Sequence, residues 1–383
     1  MHFYSLDALR GLGAFAVVFY HWQHFFYRGA TLQTFVKDQQ PLFAQFKPFY
    51  TNGWRAVDLF FCLSGFIFFW LYSDKIHQRR VSITSFSLLR FSRLYPLHLA
   101  TLLAVAVGQQ VMMATTASYF VYPYNDAYHF MLQTLFISSW GFAKGDSFNG
   151  PIWSVSIEMF LYSVFFIVSL LNLKRWWQIL FFAFAGYLMI KLGLINLGRG
   201  VLSYFLGGLS FMSFSALSRT RFVAPIATTL IILTAALWVI IPVFLNSGPH
   251  LKPSSKFSID DLQQITLLLN PHRIGIEIKA FAFELFLFPL TVLSLALWEN
   301  QRGPIFKPLA LLGDISYSSY LLHFPLQLLF ILVATSLSLS PEIFYHPLSL
   351  GLFFALLIPL SWSSFHFLER PCQKWLRKKF AQS

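Results

Sequence analysis

Apolar stretches about 20 residues long recur along this chain from one end to the other, and they constrain its fold more than any other feature. An α-helix of about 20 residues crosses the hydrocarbon core of a bilayer, because each residue adds about 1.5 Å. Charged residues make up 11% of the chain, whereas soluble domains carry about 25%. The sequence therefore predicts an all-α, polytopic bundle of about ten membrane-spanning helices, forming a single integral membrane domain over residues 1–383.

The predicted spans have approximate bounds. In chain order they are roughly 5–27, 54–72, 87–108, 153–172, 176–191, 200–217, 222–245, 279–298, 314–337 and 348–368. A further apolar segment around 128–140 is too short to span the core easily, and it is predicted to be re-entrant or interfacial.

The distribution of basic residues predicts an orientation for these spans. The formal net charge of +13 would suggest nucleic acid in a soluble protein, but no basic, aromatic-interleaved soluble segment exists here to bind it. Sixteen lysines and arginines lie in the short connections and tail on one side of the predicted spans, and eleven are spread over the longer segments on the other. Because short cytoplasmic loops are rich in Lys and Arg, both termini are predicted to be cytoplasmic. The long outer segments 28–53, 109–152 and 246–278 are predicted to cap a cavity open to the outside.

The two cysteines predict neither a disulfide framework nor a zinc site. Cys62 lies in an apolar stretch and Cys372 in the basic tail. No bound metal and no tightly bound cofactor are expected.

Span one contains two polar groups that are costly in a membrane, Arg10 and His21. They are eleven residues apart, so an α-helix turns about 1100° between them, about 20° more than three full turns. The spacing predicts that both project from one helix face. A neutral histidine can accept a proton from an attacking hydroxyl, which makes His21 a candidate general base. The alternative is that His21 makes a packing contact at the outer interface beside Trp22.

Two further groups carry polar side chains on predicted helices. Ser154, Glu158 and Tyr162 are spaced four residues apart, which predicts a polar stripe facing the bundle interior or a wet cavity. Glu158 is interpreted as a residue that orients His21, a second acid or base, a ligand of acceptor hydroxyls, or the partner of a buried cation. Arg90 and Arg93 suit phosphate binding or set topology by their charge.

The remaining positions favour structural roles or, for one histidine, the lining of the cavity. Asp58 is predicted to be an N-cap of span two, and Gly65 is predicted to allow close helix approach. His323 shares a predicted face with Ser316 and Tyr320 and is a candidate for the cavity lining.

Six short segments combine these residues in a recognisable order. They are Leu6–His21 (LDALRGLGAFAVVFYH), Val57–Phe66 (VDLFFCLSGF), Arg90–Pro96 (RFSRLYP), Asn149–Tyr162 (NGPIWSVSIEMFLY), Tyr317–His323 (YSSYLLH) and Phe367–Pro371 (FLERP). Together the chain resembles the stand-alone form of the membrane-bound acyltransferase 3 family, which transfers acyl groups to extracytoplasmic glycans and similar acceptors. The first segment resembles the family's opening, in which ten residues separate an Arg from a His.

The resemblance implies transfer of an acyl group, in the simplest case acetyl from cytoplasmic acetyl-CoA as co-substrate, in a bacterial-type inner membrane. The acceptor would be a hydroxyl of a surface polysaccharide or lipid-linked sugar, which is an O-acetylation. His21 would deprotonate that hydroxyl, or less simply take up the acyl group, and Arg10 would steady the thioester or the oxyanion.

The remaining site residues follow from the same resemblance. Arg90 and Arg93 would hold the phosphates of acyl-CoA, and Glu158 would complete the catalytic set. The candidates for acceptor binding are Trp153, Ser154, Tyr162 and His323. A proton-coupled transporter or flippase is the rival function, because it would use the same intramembrane Arg, His and Glu as a proton relay.

Overall fold

A computed structural model describes residues 2–33, 35–246 and 281–380. Apart from its first residue, the predicted outer segment 246–278 lies outside the described residues, as do the first two residues of the predicted span 279–298. Almost all of the regular structure in the described part is helical, which confirms the predicted all-α class.

In the described part, each of the ten predicted spans overlaps a longer α-helix, and five shorter α-helices lie between or after these spans. In chain order the α-helices are α1 Tyr4–Tyr20, α2 Phe43–Asn52, α3 Ala56–Leu71, α4 Ser73–His77, α5 Ile83–Thr116, α6 Ala127–Thr134, α7 Ile152–Leu170, α8 Trp176–Lys191, α9 Ile195–Leu217, α10 Val223–Asn246, α11 Phe288–Arg302, α12 Ala310–Asp314, α13 Ser316–Ser336, α14 Pro347–Ser364 and α15 Arg370–Phe380.

Shorter elements connect or extend these helices. The 3₁₀ segments are His21–Phe26, Lys37–Gln39, Gly53–Arg55, Lys307–Leu309 and Pro341–Tyr345, and the π-helical segments are Ser138–Phe142, Phe283–Leu287 and Phe365–Glu369. Two strands, β1 Tyr27–Arg28 and β2 Thr31–Leu32, form an antiparallel hairpin. Gly29 has a φ of +58° in the turn between them, a conformation that glycine adopts without steric cost.

Eight helical stretches in the described part are long and apolar enough to cross a membrane. They are Phe43–Leu71, Ile83–Thr116, Ile152–Leu170, Ile195–Leu217, Val223–Pro242, Phe283–Arg302, Ser316–Ser336 and Pro347–Lys379. The other two predicted spans are helical but shorter, with 17 residues in α1 and 16 in α8. The polytopic architecture is thus confirmed.

The first of two compact units comprises Met1–Arg10, Val57–Arg80 and Phe160–Ala310. Its core is a cluster of buried apolar side chains that includes Phe66, Leu287 and Leu297. Helices α3 and α9 approach so closely at Gly65 that a Cβ there would overlap the carbonyl oxygen of Tyr204. The predicted close approach at Gly65 is therefore confirmed.

A buried carboxylate completes the start of α1 in this unit. Glu299 of α11 accepts hydrogen bonds from the backbone N–H groups of Tyr4 and Ser5, both at 2.9 Å, and from the Ser5 hydroxyl at 2.5 Å. The first N–H groups of a helix have no partner within the helix, and a negative charge there is favourable. Glu299 thus caps a helix that begins about 300 residues before it.

Asp58 plays a different role from the predicted N-cap. Helix α3 begins at Ala56, so Asp58 lies inside its first turn, and its fully buried carboxylate binds Arg199 of α9. An unpaired charge in this interior would be very costly. The predicted N-cap role is therefore wrong, and the carboxylate pairs with a guanidinium instead.

The second unit comprises Gly11–Ala56, Val81–Met159 and Leu311–Ser383. An aromatic core holds it together: Phe25 stacks on Phe344 with centroids 4.0 Å apart, and the indole N–H of Trp22 donates to the carbonyl oxygen of Phe344 at 2.8 Å. Helix α5 has 34 residues and contains Pro96. Its length of about 51 Å exceeds the thickness of the hydrocarbon core. Helix α5 also extends beyond the predicted span 87–108 at both of its ends.

The segment around 128–140 forms the short helix α6 followed by a π-helical turn and is too short to span, as predicted. Its re-entrant or interfacial position stays a prediction. Asp126 caps α6 by accepting the backbone N–H of His129 at 2.9 Å, and its carboxylate also lies 2.8 Å from Nδ1 of His129. The N–H of His129 and its imidazole hold the pKa of Asp126 below its ordinary value. This local cap orders the connection between α5 and α7.

Candidate active site

His21 and His323 are in direct contact in the second unit. His21 opens the 3₁₀ segment that follows α1, and His323 lies in α13. Nδ1 of His21 is 2.8 Å from Nε2 of His323, and the rings lie within 15° of parallel. His323 is fully buried and His21 is half-buried. The structure thus brings into contact two residues that the sequence predicts as separate site candidates.

A third histidine, His24, packs against this pair. Its ring stacks on that of His21 with centroids 4.6 Å apart and planes within 18°. In a 3₁₀-helix, side chains three residues apart eclipse each other, so the 3₁₀ turn after Tyr20 places His24 directly beside His21. The predicted common face of Arg10 and His21 assumed α-helical spacing as far as His21, whereas the α-helix ends at Tyr20. The common face of these two side chains therefore stays a prediction.

Gln327 ties the two histidines of the 3₁₀ segment to α13. Its Oε1 lies 3.1 Å from Nδ1 of His24, and its Nε2 donates to the backbone oxygen of His21 at 2.9 Å. Sequence reasoning overlooked both His24 and Gln327. Their spacing could have indicated them, because residues three or four apart lie on the same face of a helix. His24 follows His21 by three residues, and Gln327 follows His323 by four.

Pro325 explains why α13 presents backbone oxygens at this point. Proline has no N–H, so the carbonyl of Leu321, four residues earlier, loses its helical donor. The side-chain amide of Asn149 donates to that oxygen at 3.1 Å. A buried carbonyl must find a partner, and Asn149 therefore fixes this turn of α13 to the start of α7.

Tyr320 makes a second connection to α7. Its hydroxyl lies 2.8 Å from the Ser154 hydroxyl and donates to the carbonyl oxygen of Pro151 at 3.0 Å. The predicted Ser154 therefore belongs to the same side-chain network as the His323 turn. Trp153 and Glu158 are half-buried on α7, and their acceptor-binding and acid–base roles stay predictions.

Two predicted site residues lie in the first unit. Tyr162 is buried and stacks on Phe68 with centroids 4.7 Å apart. Arg10 is half-buried and donates to Asp7 at 2.9 Å, and Asp7 in turn lies 2.7 Å from Nε2 of His2. The roles predicted for Tyr162 and Arg10 stay predictions.

Arg90 and Arg93 lie in the first third of α5 in different environments. Arg90 is buried beside the ring of Phe86, 5.9 Å from its centroid, whereas Arg93 is exposed. Exposure makes Arg93 the more accessible of the two to a ligand. Their phosphate-binding role stays a prediction.

The fold and the histidine cluster together define a class: a multi-pass helical membrane protein with an imidazole pair within its second unit. Comparison with known proteins makes this specific. Residues 3–366 match the acyltransferase domain of the acyltransferase 3 family. The chain belongs to this family.

Two curated proteins are similar to parts of the chain. Protein 2 in the picA locus of Rhizobium radiobacter is 32% identical over 104 residues, which cover 27% of this chain and 44% of that protein. Acyltransferase MdmB of Streptomyces mycarofaciens is 33% identical over 166 residues, which cover 42% of this chain and 38% of MdmB. The chain thus spans less than half the length of either relative. No solved structure matches it significantly.

Proposed function

We propose that this acyltransferase moves an acetyl group from acetyl-CoA to a hydroxyl of an extracytoplasmic glycan or lipid-linked sugar, in a bacterial-type inner membrane. Membership of the acyltransferase 3 family supports acyl transfer. The observation that carries the site is the 2.8 Å contact between His21 and His323, because it provides a half-buried imidazole held by a second one.

In the proposed reaction, His21 acts as general base. The acceptor hydroxyl loses its proton to His21 while its oxygen attacks the thioester carbonyl carbon. The carbon–sulfur bond then breaks, and the departing CoA thiolate takes the proton from the His21 imidazolium. The products are an O-acetyl ester and free CoA, and His21 returns to its neutral form.

The donor and acceptor sites are assigned from the sequence pattern. Arg90 and Arg93 are proposed to bind the CoA phosphates, since guanidinium groups bind phosphate through paired, charge-assisted hydrogen bonds. Trp153 and Ser154, at the start of α7, are proposed to contact the acceptor. The half-buried position of Trp153 supports this assignment.

Transfer of labelled acetyl from acetyl-CoA tests the proposal. Purified protein in detergent would be incubated with a glycan fraction from cells that lack the gene, and the products identified by mass spectrometry. We expect His21→Gln to lower turnover about 100- to 10,000-fold, the usual contribution of a general base. His77→Gln, at an exposed histidine at the end of α4, is the matched control and should keep full turnover.

Two results would contradict the proposal. Wild-type turnover in His21→Gln would remove His21 from the chemistry. Unaltered surface glycans in cells without the gene, together with transfer to a non-glycan acceptor, would refute the acceptor class.

A further inference from the structure

His323 has a second role available besides the acceptor binding predicted from sequence. Both of its ring nitrogens already have partners: Nε2 lies 2.8 Å from Nδ1 of His21, and Nδ1 lies 2.6 Å from the backbone oxygen of Tyr320. The ring is also fully buried. Neither nitrogen is left to bind an acceptor hydroxyl, so an acceptor ligand is a poor description of His323.

The two distances determine where the protons lie in the neutral pair. A carbonyl oxygen only accepts hydrogen bonds, so Nδ1 of His323 must carry a hydrogen. A neutral imidazole has one N–H, and Nε2 of His323 is therefore an acceptor. Nδ1 of His21 must then donate to it, which leaves the Nε2 lone pair of His21 as its basic site.

From this geometry, and resting on the proposed function, we infer that His323 is a positioning residue that holds His21 in the Nδ1–H tautomer and directs Nε2 of His21 toward the acceptor hydroxyl. It occupies the place that a carboxylate holds in a Ser–His–Asp triad. When His21 accepts a proton, its Nδ1–H donates from a cation, and the hydrogen bond to His323 becomes charge-assisted and stronger. The pair thus stabilises the imidazolium without burying an anion.

Hydrogen bonds around His323 hold its turn of α13 in place. Tyr320, which supplies the accepting carbonyl, is itself fixed to α7 through its hydroxyl, 3.0 Å from the Pro151 oxygen. The next carbonyl, that of Leu321, accepts from Asn149. A base is effective only when its own orientation is fixed, and this turn of α13 is fixed at two successive residues.

The first experiment reads the tautomer directly, without any turnover. Full-length protein with ¹⁵N-labelled histidine would be studied by NMR in lipid nanodiscs, with His21 assigned by its loss in His21→Gln. We expect Nδ1 of His21 to carry the hydrogen and Nε2 to be unprotonated. A hydrogen on Nε2 of neutral His21 would overturn the inference.

The second experiment separates positioning from acceptor binding. His323→Leu removes the acceptor atom for His21, and we expect kcat to fall about 100-fold or more with an unchanged KM for the acceptor. His323→Gln offers an amide oxygen in place of Nε2 and should recover most of the lost kcat. A raised acceptor KM with unchanged kcat in both variants would assign His323 to acceptor binding instead, and equal activity in all three proteins would also overturn the inference.

These outcomes are distinguishable from failure of the proposed function. If His21→Gln retains full turnover while NMR shows the Nδ1–H tautomer in wild type, the base assignment fails and the hydrogen-bond arrangement stands. If His323→Leu does not fold, His323→Gln and the wild-type spectrum still decide the inference. His77→Gln should match wild type in both measurements.

Discussion

Asp58 and Arg199 form a two-point ion pair inside the first unit, with Nη2 of Arg199 2.6 Å from Oδ2 of Asp58 and Nε 3.1 Å from Oδ1. The Asp58 side chain is fully buried and the Arg199 side chain is 14% exposed. Breaking such a pair by removing one partner costs about 3–5 kcal/mol, because the other charge is left uncompensated.

We therefore expect Arg199→Met and Asp58→Asn each to lower the free energy of unfolding by about 3–5 kcal/mol. The double variant should lose less than the sum of the two, since no lone charge remains. Unfolding in detergent, followed by intrinsic fluorescence, measures these differences. Asp74→Asn is the control, because the Asp74–Lys174 pair is exposed and should contribute about 0–1 kcal/mol. Equal effects of Asp58→Asn and Asp74→Asn would contradict the prediction.

Gly65 should be intolerant of any side chain. A Cβ there would overlap the backbone oxygen of Tyr204, and backbone cannot move aside without separating α3 from α9. We expect Gly65→Ala to lower the free energy of unfolding by about 1–3 kcal/mol. Gly351→Ala in α14 is the matched control: a Cβ there meets nothing within 4 Å, so the better helix propensity of alanine should be neutral or stabilising by up to about 1 kcal/mol. Thermal unfolding of both variants in detergent tests the contrast, and equal melting temperatures would refute it.

Donor binding by Arg90 and Arg93 can be tested without changing net charge. Replacing both by lysine keeps the positive charge and removes the forked contacts to phosphate. We expect the KM for acyl-CoA to rise about 10-fold or more, with little change in kcat or in the KM for the acceptor. Arg93→Lys alone should produce most of this effect, because Arg93 is the exposed member of the pair. Arg80→Lys, at an exposed arginine before α5, is the control; an unchanged donor KM in the double variant would leave both arginines as topological charge only.

The distribution of basic residues predicts the orientation of the chain. Alkaline phosphatase is active only outside the cytoplasm, so a fusion at the C-terminus should be inactive, as should one after Arg219. Fusions after Lys144 and after residue 260 should be active, because both positions belong to predicted outer segments. Activity in the reverse pattern would invert the topology.

The positions of the helices could be predicted from the sequence because a membrane span is a local signal. Helix α13 begins at Ser316 and ends at Ser336, close to the predicted 314–337, and α7 and α9 agree similarly. Each apolar stretch satisfies its own backbone hydrogen bonds by forming a helix, whatever surrounds it. Bounds differed where helices continue beyond the hydrocarbon core, as in α5.

Partners distant in sequence could not be predicted in the same way. His21 and His323 are 302 residues apart, and Asp58 and Arg199 are 141 residues apart. Periodicity shows which face of a helix is polar but not which other helix meets that face. The sequence predicts capping for Asp58 because that role needs only local atoms, whereas the partner of its carboxylate, Arg199, lies on another helix. The sequence predicts His21 and His323 as site residues, but their pairing and the contacts of His24 and Gln327 required the structure.

The bond between Glu299 and the start of α1 has a consequence for biosynthesis. The two ends of this contact are separated by 294 residues. At about 5–20 residues per second of translation, the N–H groups of Tyr4 and Ser5 wait roughly 15–60 s before their carboxylate is synthesised. The first helix is therefore made without the partner of its first N–H groups, and its N-terminus is completed only after α11 has been synthesised.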